Sequence, residues 1–429
     1  MDKNSKSIIS IRRQLHSIPE LAFHETMTRQ YIKRFVAQYA KDFVLVDDSQ
    51  GGLIYFKSGE GGSVLWRTEI DALPLNDLNK VSYVSKNFGV CHACGHDAHM
   101  AILLDTMRNI QNRRTNSVYC VFQSAEEVFG GAQKMKERLT ALKIHVNAAF
   151  ALHVDPSQMV GSISSKTDLM LAQNDTYYFD LGVSGGHLSN GNTQLSILST
   201  VINFIDKYQS NKLRIGISQV TDNGYFNISP SHLHFSLSFR SLKLRNDKLL
   251  EKLIDSIKCT NLVTRLSVRK LPHYPAVIND YQLVKSLKMT CESNNIDFTT
   301  TYSSFSSDDF SYYQSISDSS LYFLLGCNLP EKGKLCHSES FDINEKCLEI
   351  GAKICNTILK KKGDYGIMKK NDKSIEPTVE MKSLLDDLEV ETIELDNVQA
   401  VPTAAASGGS GKSSLCGSSS SSTCSSSCS

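Results

Sequence analysis

The sequence predicts an α/β fold in which a first domain is interrupted by an α+β unit. Short apolar runs of strand length, GSVLWRTEID, NSVYCVFQS and NAAFALHV, alternate with helical stretches such as DAHMAILLDTMRNIQNR. From about residue 166 to 275 the pattern changes to alternating polar and apolar residues, as in NDTYYFDLGV and HLHFSLSFRSL. A length of 429 residues also favours two domains over one.

The first domain is predicted to comprise residues 1–165 and 276–366, with the inserted unit at 166–275. Apolar positions at helical spacing predict two helices between residues 5 and 40, separated at Pro19. After the insert, YPAVINDYQLVKSL and SLYFLLGCN return to helix and strand, and NEKCLEIGAKICNTILKKK predicts a last helix. The first domain is therefore expected to be discontinuous.

Composition limits the partners that the chain can have. Its 46 Lys and Arg residues against 45 Asp and Glu residues give a formal charge of +1, so no global field attracts nucleic acid or an anionic membrane. The first residues lack the apolar core of a secretory signal, and no apolar run is long enough to span a membrane. We therefore expect a cytoplasmic protein with a small-molecule partner.

The last part of the sequence differs in composition from the rest. Residues 367–407 form an acidic segment that resembles a leader peptide, and residues 408–429 form a Ser/Cys-rich tail. The final fourteen residues comprise nine Ser, three Cys, one Thr and one Gly, which cannot build a core, so the tail is expected to be disordered. The whole segment resembles precursor peptides of thiazole/oxazole-modified and thiopeptide natural products, which implies tail-modifying enzymes as partners. A passive Ser-rich tail is the alternative.

The segment CHACGHDAHM at 91–100 is the first candidate for metal binding. Cys94 and His96 are two residues apart, so both side chains can face one ion in an extended turn, while Gly95 allows a close backbone approach. A polar loop with incidental histidines is the alternative interpretation.

The second candidate is the pair Glu126 and Glu127 at the end of the strand NSVYCVFQS. Adjacent carboxylates in extended backbone face opposite ways, so one can bind an ion while the other takes a proton from water activated by the metal. An isolated Glu-Glu pair is usually a surface feature. Its place at a strand end, some thirty residues after Cys-x-His, favours the catalytic interpretation.

His153, at the end of ALHV, and His337, in LCHSESF, complete the candidate ligand set. Lone histidines of this kind are more often structural than metal-ligating. Together with Cys94, His96 and Glu127 they exceed the four ligands of a closed structural zinc site. All five residues together would therefore imply two ions or an open catalytic position.

At this point the sequence resembles a family of metal-dependent amidohydrolases and peptidases that includes hippurate hydrolase, N-acyl-amino-acid amidohydrolases and the auxin-conjugate hydrolases of plants. The resemblance covers about residues 7–365. It is carried, in the family's order, by the segments IRRQLHSIPELAFHET, RTEIDALP, CHACGHDAHM, QSAEE, ALHV, GVSGGH, NISP, YPAVIND, SSDDF and CHSESF.

The resemblance implies a dinuclear site for zinc or manganese, held by the five candidates above, with Glu126 as general base and Asp71 behind the ligands. It also implies that the inserted unit is a lid and dimerisation domain of a homodimer. In that unit His187, Asn227 and Arg240 would contact the substrate, partly from the other subunit. Arg240 would suit a carboxylate group, although a solvated arginine at a strand edge is the alternative.

The sequence departs from the family's usual pattern at several positions, none of which removes a candidate ligand. These departures are expected to surround the substrate and so to affect its choice. They are Thr68 and Glu69 in place of Ala-Asp, Leu188 and Ser189 in place of two small residues, Ser229 in place of an aliphatic residue, and Asp308 in place of Glu.

The expected function is hydrolysis of an amide bond in an N-acyl amino acid or small peptide, with His187 stabilising the oxyanion. One alternative is a carrier of a modifiable C-terminal peptide, whose folded part acts as a scaffold or maturation peptidase. An inactive metal-binding relative is a further alternative, which the presence of Glu126 makes less favourable.

Overall fold

The computed structural model describes residues 7–113, 115–128, 130–191, 193–242, 247–329, 335–360 and 392–394. Within these residues no helix is long and apolar enough to cross a membrane. The helices are α1 (Ile8–His16), α2 (Thr26–Tyr39), α3 (His96–Ile110), α4 (Gly131–Ala141), α5 (Thr193–Tyr208), α6 (Asp247–Lys258), α7 (Tyr281–Ser293) and α8 (Lys346–Lys360).

The strands of the described residues form two main sheets and two short pairs. In chain order they are β1 (Val44–Ser49), β2 (Gly52–Lys57), β3 (Ser63–Glu69), β4 (Ser117–Gln123), β5 (Val146–Asp155), β6 (Ile163–Ser165), β7 (Asp168–Leu171), β8 (Gln173–Val183), β9 (Gly186–His187), β10 (Leu213–Asp222), β11 (Ile228–Ser229), β12 (His232–Ser241), β13 (Val263–Lys270), β14 (Val277–Asn279), β15 (Phe298–Thr300), β16 (Ser317–Gly326) and β17 (Thr392–Glu394).

The first sheet runs in the order β1-β2-β4-β3-β5-β16-β6-β15, and its four central strands are parallel. Side chains alternate between its two faces, as the period of a strand requires. Trp66 stacks on Phe150 on the face that packs against α3 and α8, while Leu65 joins Met135 of α4 in the core on the other face. Helices on both faces of a largely parallel sheet are the α/β architecture that the sequence predicts.

The second sheet is antiparallel, in the order β10-β12-β8-β13-β17. Strand β8 pairs with β12 along ten consecutive positions, from Gln173 opposite Ser241 to Gly182 opposite His232. One face of the sheet packs against α5 and α6, where Phe179 and Phe235 stack. This unit has its own hydrophobic core, which explains the change of sequence texture in this region.

The connections between the two sheets show where the chain leaves the first sheet and returns to it. Strands β7 and β14 pair with each other and belong to neither main sheet. The second sheet is formed by residues 173–270, which lie between these two strands in the sequence, together with 392–394. The first sheet is therefore built from discontinuous segments. The Ser/Cys-rich tail and most of the acidic segment, with the precursor interpretation that rests on them, lie outside the described residues.

Candidate functional site

The candidate site lies at the carboxyl ends of β3, β4 and β5. These strands are parallel, so the residues that follow them meet at one edge of the sheet. Asp71 follows β3, Glu126 and Glu127 follow β4, and His153 lies near the end of β5. His96 is the first residue of α3, which begins at the same edge.

The structure brings the five candidate ligands together. The ligand atoms of Cys94, His96 and His153 all lie within 4.8 Å of one another, as do those of Cys94, Glu127 and His337. Cys94 Sγ is 3.4 Å from His153 Nε2, and His337 Nε2 is 3.4 Å from Glu127 Oε1. Cys94 belongs to both groups, and Glu127 Oε1 lies 3.9 Å from His96 Nε2 of the first group.

Hydrogen bonds orient the histidine rings toward this cluster. With its proton on Nδ1, His96 donates to the Asp71 carbonyl oxygen at 2.9 Å, and His153 donates to the Val154 carbonyl oxygen at 2.7 Å. Each ring then directs the lone pair of Nε2 to the centre of the site, as metal-binding histidines do.

The environment of these donors fits a divalent cation. His96 Nε2 and Glu127 Oε1 are buried and have no hydrogen-bond partner among the described residues. Burial opposes a charge on His96, yet the hydrogen bond to Asp71 and the surrounding carboxylates raise its pKa to about 10. The site therefore attracts positive charge, and its thiol, imidazole and carboxylate donors suit a borderline-soft ion such as zinc.

Glu126 and Glu127 have pKa values shifted in opposite directions. Burial, followed by the charges of Glu127 and Asp308, raises the pKa of Glu126 well above its usual value. Although burial acts against it, the neighbouring His337 and His96 lower the pKa of Glu127. Two carboxyl groups separated in this way can act as a proton carrier and as a fixed anion.

Asp71 holds both parts of the site in place. Its carboxylate accepts a hydrogen bond from the Glu127 amide at 3.0 Å, and its carbonyl oxygen accepts the bond from His96. It lies behind the candidate ligands and is fully buried. The role that the resemblance implies for Asp71 stays a prediction.

A cleft with a volume of about 510 Å³ opens in front of the cluster. Arg240 of β12 reaches into it from the second sheet and donates to the Phe305 carbonyl oxygen at 3.2 Å. Burial lowers the pKa of Arg240. A partly desolvated guanidinium group in a cleft is suited to binding a carboxylate.

His187 and Asn227 do not line the cleft of their own chain. Both are exposed, His187 in β9 and Asn227 immediately before β11. The Leu188 amide donates to the Asn227 carbonyl oxygen at 3.1 Å, and His187 Nδ1 lies 2.8 Å from Ser189 Oγ. Within one chain they are separate from the candidate metal cluster. Their predicted contact with substrate from another subunit stays a prediction.

The departures from the family pattern do not all line the cleft of one chain, and their expected place around the substrate stays a prediction. Of these positions only Asp308 is found among the described residues that line the cleft. Glu69 is buried beneath the cleft, where it pairs with Arg67 and with His99 Nδ1 at 2.8 Å. Each of its two carboxylate oxygens has a partner within the chain.

The cleft also contains residues that were not singled out from the sequence. Asn174, Tyr274 and Cys336 line it, and the Tyr274 hydroxyl donates to the Glu126 carbonyl oxygen at 3.1 Å. Tyr274 belongs to YPAVIND and Cys336 to CHSESF, so their segments were recognised although their contacts were not. Asn174 lies in a strand whose alternating pattern gives no sign of a binding role.

Comparisons with known proteins agree with this geometry. The profile of Peptidase family M20/M25/M40 matches residues 65–361. An N-acetyldiaminopimelate deacetylase of Bacillus velezensis is 27% identical over 71% of this chain and 86% of its own. The IAA-amino acid hydrolase ILR1-like 4 of Arabidopsis thaliana is 26% identical over 81% of this chain and 83% of its own.

Solved structures show the same fold. The Bacillus subtilis YXEP protein, described as a dinuclear metal binding peptidase from the M20 family, superposes with a TM-score of 0.68 at 23% identity, covering 82% of this chain and 96% of its own. A putative aminohydrolase from Staphylococcus aureus gives a TM-score of 0.69 at 25% identity, with 82% and 95% covered. The recognition of the family and of a metal-dependent hydrolase from the sequence is confirmed. The family match, the relatives and the fold together show that the chain belongs to Peptidase family M20/M25/M40 and is a metal-dependent hydrolase.

Proposed function

We propose that this protein hydrolyses the amide bond of N-acyl amino acids or small peptides at a site for two divalent ions, zinc or manganese. The observation that carries the proposal is the convergence of the five donors beside Glu126 in a cleft that also holds Arg240. Cys94, His96, Glu127, His153 and His337 would hold the ions. More than four donors around an open cleft suit a catalytic site better than a closed structural one.

The residues of the chain have distinct tasks in this reaction. Bound divalent ions would polarise the scissile carbonyl group and lower the pKa of a water molecule in the cleft. Glu126 takes a proton from the attacking water and returns it to the leaving amine. Burial, which raises the pKa of Glu126, favours retention of this proton between the two steps. Glu127 stays ionised, and Asp71 fixes the orientation of Glu127 and His96.

Arg240 is proposed to bind a part of the substrate away from the scissile amide bond. It is the candidate for binding the carboxylate of the amino-acid half. Two curated relatives have names that describe amides of amino acids, an N-acetyldiaminopimelate deacetylase and an IAA-amino acid hydrolase. The acyl half would extend along the rest of the cleft, whose lining includes apolar side chains such as Leu171 and Leu324.

A second copy of the chain would complete the site. His187 and Asn227 are exposed and do not line the cleft of their own chain, so in a homodimer they can contact the substrate bound to the other subunit. The imidazole of His187 would then donate a hydrogen bond to the oxyanion that forms at the carbonyl carbon.

The test of the proposed function combines metal analysis with a panel of N-acyl amino acids. We expect about two zinc or manganese ions per chain and turnover of amides that carry a free carboxylate, with weak turnover of the matching amino-acid amides, which lack that charge. Arg240→Gln should raise KM for the carboxylate substrates by roughly tenfold to a hundredfold, the effect of losing a charge-assisted hydrogen bond. Arg265→Gln is the matched control, because Arg265 pairs with Asp180 at an exposed position of β13.

Equal turnover of acids and amides, or equal KM for the Arg240 and Arg265 variants, would show that Arg240 does not bind a carboxylate. Absence of hydrolysis across the panel, in protein that contains both ions, would contradict the proposed function itself.

Cys94 gives an independent test of metal binding. Contact with Cys336 and burial raise the pKa of the Cys94 thiol well above its usual value, so without an ion it would stay protonated. We expect Cys94 to resist alkylation at every pH in metal-loaded protein, and to react after chelation only at alkaline pH, where its thiol ionises. The readout is peptide mass spectrometry of the alkylated protein.

Cys94→Ala should lower metal content strongly, whereas Cys91→Ala should leave it near normal. Cys91 is also buried but does not belong to the groups of donors described above. Equal labelling of Cys94 with and without metal would argue against ligation.

A further inference from the structure

The loop that carries the two catalytic carboxylates contains an unusual backbone conformation. Ala125, immediately before Glu126, has a φ of 55°, in the left-handed region that residues with a Cβ rarely adopt. Ala125 is fully buried. Such a conformation persists where the surroundings over-determine it, so the contacts of Ala125 decide where Glu126 is placed.

The Ala125 amide has a specific acceptor from a distant part of the chain. Glu25, just before α2, accepts a hydrogen bond from the Ala125 amide at 3.1 Å through Oε1. The same oxygen accepts the Phe23 amide at 2.9 Å, and Phe23 also has a left-handed φ, of 64°. A single carboxylate oxygen therefore supports two turns of this kind.

The environment of Glu25 indicates a role beyond that of an ordinary surface carboxylate. Glu25 is only 2% exposed, and its Oε2 has no hydrogen-bond partner among the described residues. Burial is the main cause that raises its pKa, and the charge of Asp71 adds to it. A buried carboxylate that leaves one oxygen unpaired destabilises the fold, so its presence here is explained better by the loop that it holds.

Two further contacts hold the same loop. Arg29, one turn into α2, donates to Ser124 Oγ at 2.8 Å and to the Ser49 carbonyl oxygen at 2.7 Å. On the opposite side, the carbonyl oxygen of Ser124 lies so close to Gly131 that a Cβ there would be only 1.8 Å away. The loop is thus enclosed between α2 and α4, and Glu25 is hydrogen-bonded to Ala125, the residue that precedes Glu126.

We propose that Glu25 is a positioning residue for the general base: by accepting the Ala125 amide it fixes the left-handed turn that directs Glu126 into the cleft. It touches neither the substrate nor the candidate metal cluster. This inference rests on the proposed role of Glu126. It requires that an oxygen of residue 25 lie within hydrogen-bond distance of the Ala125 amide, and it does not require that residue 25 be charged.

Two conservative variants of Glu25 separate the effect of side-chain length from the effect of side-chain charge. Glu25→Gln keeps an oxygen at the same distance and removes the charge, so turnover should stay within about threefold of the wild type. Glu25→Asp keeps the charge but is one methylene shorter, which withdraws the oxygen from the Ala125 amide. Because a misplacement of about 1 Å costs roughly a hundredfold, we expect Glu25→Asp to lower kcat by tenfold to a hundredfold with KM and metal content nearly unchanged.

Glu20→Asp is the matched control. Glu20 accepts the Met27 and Thr28 amides at 3.0 and 2.8 Å, so it caps the same helix without touching the catalytic loop. This variant should lower the melting temperature and leave kcat unchanged. An equal loss of kcat in Glu20→Asp and Glu25→Asp would mean that helix stability alone matters, and would overturn the proposal.

Two readouts complete the test. Hydrogen exchange of the Ala125 amide should become faster in Glu25→Asp and stay slow in Glu25→Gln, a measurement that needs no substrate. The acidic limb of the pH–rate profile should be unchanged in Glu25→Gln. Wild-type turnover in Glu25→Asp, or a shifted acidic limb in Glu25→Gln, would contradict the positioning role. A wild-type protein that hydrolyses no N-acyl amino acid would instead refute the proposed function, and the exchange measurement would still decide the hydrogen bond.

Discussion

Replacing Glu126 with Gln is expected to lower turnover by roughly two to four orders of magnitude, the usual contribution of a positioned general base. The amide keeps the size and polarity of the side chain but cannot accept the proton of the attacking water. Glu126 lines the cleft beside the candidate ligands, and its amide replacement leaves Cys94, His96 and His153 in place. Metal content should therefore remain near that of the wild type.

Glu127→Gln is the control for this experiment, since it removes an adjacent carboxylate of the same size. Its loss should reduce metal content, because Glu127 Oε1 is buried between His337 and His96 at 3.4 and 3.9 Å. The checks are kcat together with metal stoichiometry by elemental analysis. A Glu126→Gln enzyme that turned over at the normal rate would remove Glu126 from the mechanism.

The second large effect is expected at His187. If its imidazole stabilises the oxyanion in the other subunit, His187→Ala should lower kcat by roughly a hundredfold to a thousandfold, the effect of removing one oxyanion donor. A surface histidine without this role would change kcat little. In one chain His187 is exposed and does not line the cleft, so a large effect would itself indicate a composite site.

Mixing two inactive variants tests this arrangement directly. A dimer of one His187→Ala chain and one Glu126→Gln chain contains one intact site, so random exchange should restore about a quarter of the wild-type activity. Mixing His187→Ala with the double variant Glu126→Gln/His187→Ala should restore none. No recovery in the first mixture, after subunit exchange has been shown by mass spectrometry of tagged chains, would exclude sharing.

The sequence predicted the parts of the site that follow local rules. Cys94 and His96 stand in one short segment, and Glu126 and Glu127 end an apolar strand some thirty residues later, so their order along the chain made them candidates. His153 and His337 are isolated in the sequence, and only the order of neighbouring segments connected them to the others. The alternation of strands and helices likewise indicated an α/β fold, because the helices between successive strands cover the faces of such a sheet.

Other features could not be predicted because they depend on contacts between distant residues. Glu25 is a hundred residues from Ala125, and Arg67 is 242 residues from its partner Asp309. No periodicity or spacing in a single sequence relates such pairs. The same limit applies to Glu69, which lies within a recognised segment, although the direction of its side chain is set by Arg67 and His99.

Strand β17 affects whether separate molecules of this protein can associate through the second sheet. Its three residues pair with Ser267, Val268 and Arg269 and cover one edge of the second sheet with a piece of the acidic segment. A chain cut near residue 366 would keep every described residue that lines the cleft. It would leave the main-chain donors and acceptors along that edge available to strands of other molecules. The acidic segment would then protect the protein against aggregation. Its removal would increase aggregation while leaving catalysis by the remaining monodisperse protein unchanged.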